Sequence, residues 1–127
     1  MQRGSPSSTL EVVVGVTASG TPVIALFGEC DLASAEPFRD CLLDALQTNP
    51  REVILDLAGL EFIDSTGLNL MVQAHKQISE GGGRIALHNV PPAVAKVLAI
   101  AGIDVLFRHP EDTRSPALSL RERRPTE

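Results

Sequence analysis

An α/β fold, with a small mostly parallel sheet and helices packed against it, is the class that this 127-residue chain predicts. Two observations carry the prediction. Short β-branched apolar runs alternate with stretches of helical spacing in the order β-β-α-β-α-β-α-β, and glycine or proline punctuates most junctions. Strands that alternate with helices pair in parallel through right-handed crossovers, and sites in such sheets form at the carboxyl ends of the strands.

The Val-rich run "LEVVVGVTA" at 10–18, the turn signal "SGTP" and the apolar run "VIALFG" at 23–28 predict strand, turn, strand. From 34 to 47 apolar residues recur at Ala35, Phe38, Leu42, Ala45 and Leu46, a helical face with Ser34 as candidate N-cap and Pro37 in the tolerant first turn. "EVILDLAG" at 52–59 predicts a strand buried on both faces that ends near 57, followed by a loop over 58–63. A helix from about Asp64 carries Leu68, Met71, Val72, His75 and Ile78 at helical spacing and stops at "GGG", 81–83. "RIALHNV" at 84–90 is a further strand, "PAVAKVLAIAG" at 92–102 a helix opened by proline and closed by Gly102, and "DVLF" at 104–107 a last strand. One domain over 10–107 results, with the polar segments 1–9 and 109–127 as expected flexible tails.

Composition narrows the function classes. Apolar residues at 43% and charged residues at 21% are those of a folded globular chain. Residues 10–107 hold 12 acids and five bases, and five arginines lie at Arg108 and beyond. An acidic domain without Trp or Tyr lacks the cationic grooves and stacking platforms of nucleic-acid binders, and its charge favours a basic protein surface as partner. Cys30 and Cys41 have no zinc-finger spacing and read as buried free thiols. No apolar run reaches the ~18 residues of a membrane span, and "MQRGSPSSTL" lacks the apolar stretch of a signal peptide, so no membrane partner and a cytoplasmic location are expected.

The chemistry-bearing residues gather in "LEFIDSTGLNLM", 60–71, where Ser65 is open to three roles. As a helix cap, Asp64 or Ser65 would accept a backbone N–H, yet Asp64, Ser65 and Thr66 are three successive candidates where one suffices. As a nucleophile, Ser65 lacks the G-x-S-x-G elbow, and His75 lies ten residues on, about 15 Å along a helix and too far to take its proton. A phosphate loop is absent because "GGG" runs into Arg84, Ile85 and Ala86. A magnesium-dependent enzyme would need Asp31, Asp56 and Asp64 to converge, and a receiver-type switch would need paired acids where the first strand ends "GVTAS". As acceptor of a phosphoryl group from another protein, Ser65 would hold the phosphate at a helix N-terminus. Some −1.5 to −2 charges would then stand among Asp31, Asp56, Glu61 and Asp64.

"GECDLASAEPFRDCLLDAL" and "VILDLAGLEFIDSTGLNLMVQAHKQISEGGGRIALHNVPPAVAKVLAIAGIDVLF" together resemble the STAS domain of bacterial anti-sigma factor antagonists. The G-E-x-D turn at Gly28 to Asp31, the "LDL" strand and the D-S-T-G-L stretch at 64–68 carry the resemblance most specifically. It implies a binding module, not an enzyme, that captures an anti-sigma factor and so frees a sigma factor for RNA polymerase. The implied anti-sigma factor is a serine kinase that phosphorylates the residue matching Ser65, with Thr66 as the alternative acceptor, and a serine phosphatase reverses the mark. ATP and Mg²⁺ belong to the kinase, so no cofactor or metal is implied for this chain. The resemblance further implies a partner-binding surface of Asp31, Asp56, Asp64, Ser65, Thr66, Gly67 and Asn69, with Gly67 letting the partner approach closely. Cys30 stands where the family usually has an aliphatic residue, and Asn69 where it has a small one. The alternative within the fold is a STAS interaction module that is not phosphorylated, as in scaffold or lipid-transport assemblies.

Overall fold

The computed structural model describes residues 9–110. Leu10–Val16 (β1) and Pro22–Cys30 (β2) form an antiparallel hairpin. Its turn is closed by Thr17, whose carbonyl accepts the Gly20 N–H and whose hydroxyl accepts the Thr21 N–H, with Gly20 at φ 91°. Glu36–Leu46 (α1), Glu52–Ile63 (β3), Ser65–Glu80 (α2), Arg84–His88 (β4) and Pro92–Ala101 (α3) complete the order. The sheet runs β1-β2-β3-β4, and β2, β3 and β4 are mutually parallel, so the predicted mostly parallel sheet is present.

Alternation along the strands divides the sheet into two faces. Ile24 and Leu26 of β2, Val53, Leu55 and Leu57 of β3, and Ile85 and Leu87 of β4 form one core with Phe38, Leu42 and Leu46 of α1, Met71, Ala74 and Ile78 of α2, and Val94 and Leu98 of α3. On the other face Val23, Ile54 and Ala86 form a separate small cluster. Burial on both faces explains why β3 opens as a nearly unbroken apolar run.

Three expectations are corrected. The predicted loop 58–63 is strand: β3 continues to Ile63 beside β2, with register shifts near Phe27 and Gly28. Gly59 permits this, because a Cβ there would collide with the Phe27 ring that crosses it. The helix predicted from Ser34 begins instead at Glu36. Its N-cap Ala35 makes no side-chain bond, while the Ser34 hydroxyl donates to the Glu29 carbonyl at 2.6 Å. The predicted strand over 104–107 is a 3-10 turn, Asp104–Leu106, and the last β position of the order is a single parallel bridge between Ala86 and Arg108. Gly102 at φ 76° turns the chain sharply after α3, and that turn must be completed before the backbone reaches the β4 edge. The expected tails at 1–8 and 111–127 lie outside the described residues.

Candidate functional site

Adjacent parallel strands bring the polar residues of two distant segments together. Cys30 pairs in register with Ile63, and the Asp64 N–H donates to the Cys30 carbonyl at 3.1 Å. Asp31 and Asp64 are therefore the first residues past two neighbouring strand ends, at the roughly 5 Å spacing of strands in a sheet. The buried Cys30 thiol lies beneath them and its pKa is pushed up to about 11, by burial first and then by the charges of Asp64 and Asp31.

Asp64 caps α2. Its backbone is extended, and its carboxylate accepts the Thr66 N–H at 2.8 Å. Ser65 is the first helical residue and is exposed, and its hydroxyl makes no hydrogen bond among the described residues. Thr66 is half-buried, and Asn69 is exposed one turn further along the same helix face. Asp31 shapes the loop before α1: its carboxylate accepts the Ala33 N–H at 3.0 Å and the Ser34 N–H at 3.1 Å.

Two residues expected at the same surface lie elsewhere. Gly67 is buried, and a Cβ on it would meet Ile63 Cγ1 at 2.6 Å and Cys30 Sγ at 2.8 Å. The close approach that Gly67 allows is thus that of α2 onto the two strand ends, rather than of an outside molecule. Asp56 pairs in register with Ala25 and His88, five steps of β2 back from Cys30, or about 15 Å along the sheet. It is buried, and its carboxylate accepts the Ala58 N–H at 3.1 Å and the Asn89 side-chain amide at 3.2 Å. Among the described residues no three His, Cys, Asp or Glu side chains are placed to hold a metal ion.

His75, set aside as a base on spacing, stacks edge-on against Phe107, with ring centroids 5.9 Å apart. Sequence reasoning missed Leu32 and Phe62, which flank the two acids and are 81% and 49% exposed. The available signal was an aliphatic residue straight after Asp31 in a tight polar turn. A hollow of about 560 Å³ lies at the opposite end of the sheet from this edge, lined by Thr21, Arg51, Glu52 and Arg84 among others. No described helix is long and apolar enough to cross a membrane.

The "STAS domain" family model matches residues 13–117. An "Anti-sigma F factor antagonist" of Paenibacillus polymyxa is 32% identical over 85 residues, covering 66% of this chain and 73% of that protein. The structure of the Bacillus cell fate determinant SpoIIAA in its phosphorylated form superposes with a TM-score of 0.64 at 25% identity, covering 82% of this chain and 95% of that one. SpoIIAA in its unphosphorylated form superposes with a TM-score of 0.69 at 24% identity over 92% of this chain and 99% of that one, a likeness of fold. The four-stranded mixed sheet, the order of its elements and the match over most of the sequence agree, and the chain belongs to the STAS domain family.

Proposed function

We propose that this protein is an anti-sigma factor antagonist: it binds an anti-sigma factor that is a serine kinase, so releasing a sigma factor, and phosphorylation of Ser65 ends the binding. One observation carries the proposal. Asp64 performs the capping, which leaves the adjacent Ser65 hydroxyl exposed and, among the described residues, without a hydrogen bond, as suits an acceptor for a partner's active site. The relative named as an anti-sigma F factor antagonist and the neighbour solved in a phosphorylated form support the same reading.

The switch rests on electrostatics. A phosphate on Ser65 sits at the start of a 16-residue helix, where free N–H groups and the dipole stabilise it, so the fold tolerates the modification. Beside Asp31 and Asp64 the added charge makes an acidic edge more acidic, and a partner surface fitted to the unmodified edge loses its match. The docking surface on this reading is Asp31, Asp64, Ser65, Thr66 and Asn69, with Leu32 and Phe62 as apolar contacts. Gly67 acts from beneath it, by holding the helix onto the strand ends, and Asp56 acts at a distance, by holding the connection after β4 through Asn89. The kinase brings ATP and Mg²⁺, a serine phosphatase restores the hydroxyl, and the exchange takes place in the cytoplasm.

Incubation with the cognate kinase and ATP, followed by mass-spectrometric mapping, is expected to place the phosphate on Ser65. Transfer to Thr66, or no transfer, refutes the mechanism. Ser65→Asp is expected to weaken kinase binding at least tenfold, about 1.4 kcal/mol, while the melting temperature stays within a degree or so.

A further inference from the structure

The chain treats the two edges of its sheet differently. Beside β4, the last strand on one side, the backbone returns and Arg108 bridges to Ala86, so that edge is partly occupied. On the other side lies β1, and no described segment pairs with its outer edge. Its sequence, LEVVVGV, carries none of the devices that blunt an open edge: it has no lysine and no proline, and its register against β2 runs from Leu10 to Val16 without a bulge. Val14 and Val16 on this strand are 52% and 49% exposed.

The hairpin fixes which backbone groups face outward. The Glu29 N–H donates to the Thr9 carbonyl at 2.9 Å and the Thr17 N–H to the Thr21 carbonyl at 2.9 Å, at the two ends of one unbroken register. Residues of an antiparallel pair alternate between bonded and non-bonded positions, so Glu11, Val13 and Gly15 turn their N–H and C=O groups toward β2. Leu10, Val12, Val14 and Val16 turn theirs to the open edge. Leu10 and Val12 pack against the helical core, and alternation puts the side chains of Val14 and Val16 on that same face.

We propose that a second copy of this chain pairs with β1, antiparallel and about a two-fold axis at Val13, so that the two four-stranded sheets join into one continuous sheet. The outward groups select this register. With Val13 opposite Val13, Leu10 meets Val16 and Val12 meets Val14, and every outward residue of both copies exchanges N–H and C=O bonds. That makes roughly eight main-chain hydrogen bonds, within the ten or so of an ordinary interface. An axis at Val12 or at Val14 would instead carry Val16 or Leu10 past the end of the facing strand. The same register lays Leu10, Val12, Val14 and Val16 of both copies in one apolar row, which covers the exposed valines, and it sets Glu11, the one charge of the strand, opposite Gly15 rather than opposite the second Glu11. A foreign strand would meet the same backbone, but β1 itself matches this edge in bonding pattern, length and charge at once. Because β1 runs against β2, the two-fold axis puts the carboxyl ends of β2 and β3 of the two copies at opposite ends of the joined sheet, and each Ser65 edge stays open. The inference does not depend on the fate of Ser65.

Sedimentation equilibrium of the full-length chain tests the pairing. The mass is expected to rise with concentration from 13.5 kDa toward twice that value and no further. Val14→Lys, at an exposed position, is expected to keep the far-UV circular dichroism of the parent and to weaken dimerisation at least tenfold. The register is read by cross-linking in a Cys41→Ser background. Val13→Cys stands on the two-fold axis, where facing Cα atoms about 4.5 Å apart suit a disulfide, and two such thiols are expected to join across the dimer as they reduce oxidised glutathione. Val16→Cys, far from its own copy in this register, is expected to stay uncross-linked under the same conditions. A chain that remains monomeric at every concentration, a dimer that Val14→Lys leaves intact, or a Val16→Cys cross-link as prompt as that of Val13→Cys each overturns the proposal.

Discussion

Asp64 and Asp56 belong to one stretch of chain, eight residues apart, and meet different surroundings. At the strand end, Asp64 accepts the Thr66 N–H and leaves Ser65 beside it exposed, with no hydrogen bond from its hydroxyl among the described residues. In mid-strand, Asp56 is 7% exposed, accepts two N–H groups and lies in register with His88, whose buried Nδ1 has no hydrogen-bond partner among the described residues. The backbone beyond each acid makes the difference. After Asp64 the strand gives way to a helix N-terminus that faces outward, so polarity there is available to another molecule. After Asp56 the strand continues between two neighbours, so its polarity is consumed in holding the β4 to α3 connection through Asn89.

The largest effect expected from disturbing this contrast is at Gly67, where the exposed edge is anchored to the interior. Gly67→Ala puts a methyl group against Ile63 and Cys30 and is expected to cost about 1–3 kcal/mol in urea denaturation, with kinase binding weakened as α2 lifts. Adding Cys30→Ala, which clears one of the two contacts, is expected to recover part of the loss. If Gly67→Ala is silent in both assays, the helix start is not held by that packing.

Next comes the cap. Asp64→Ala removes the acceptor of the Thr66 N–H and is expected to destabilise the protein by about 1 kcal/mol, whereas Asp64→Asn retains most of that stability. Equal stability of Ala and Asn at this position would show that Asp64 serves only as charge.

His88, buried beside Asp56, provides the corresponding test of the mid-strand region. Burial lowers its pKa below the ordinary 6.5; Asp56 and Glu52 oppose the shift and Arg108 adds to it. The unfolded chain therefore takes up a proton before the folded one does, and stability that is fully present above about pH 6.5 falls as pH drops through that value. The slope stays below about 1.4 kcal/mol per pH unit for one proton and should flatten in His88→Gln, measured by denaturation at pH 7.5 and 5.5. A protein that becomes more stable on acidification over that window would reverse the assignment.

The smallest effect is chemical. Cys30, buried with its pKa near 11, should resist a thiol reagent at pH 8 in the folded protein and react only on unfolding, while the half-buried Cys41 reacts slowly. Prompt modification of both thiols would mean that the strand ends beneath Ser65 open readily.

Several of these features are local and can be read from residues in order. The Val-rich hairpin, the apolar run of β3, the proline and glycine that bound α3, and the exposed serine within I-D-S-T-G arise from side-chain period and turn chemistry, which act over a few residues. The order of elements and the family resemblance were legible for the same reason. The length of β3 was not, because a strand passes Gly59 only when Phe27 on a neighbouring strand lies across it. Nor was the final bridge at Arg108, which depends on where the turn after Gly102 meets the edge of β4.

The sequence by itself determined that an α/β domain forms and that a serine stands at the start of its second helix between an acid and a glycine, since these depend on short-range pattern. Only the tertiary structure decided which residues surround that serine. Register between β2 and β3 sets Asp31 next to Asp64, packing turns Gly67 inward onto Cys30 and Ile63, and the register between β3 and β4 places Asp56 beside His88. Strand pairing joins residues that are more than thirty positions apart, and no local pattern encodes that distance.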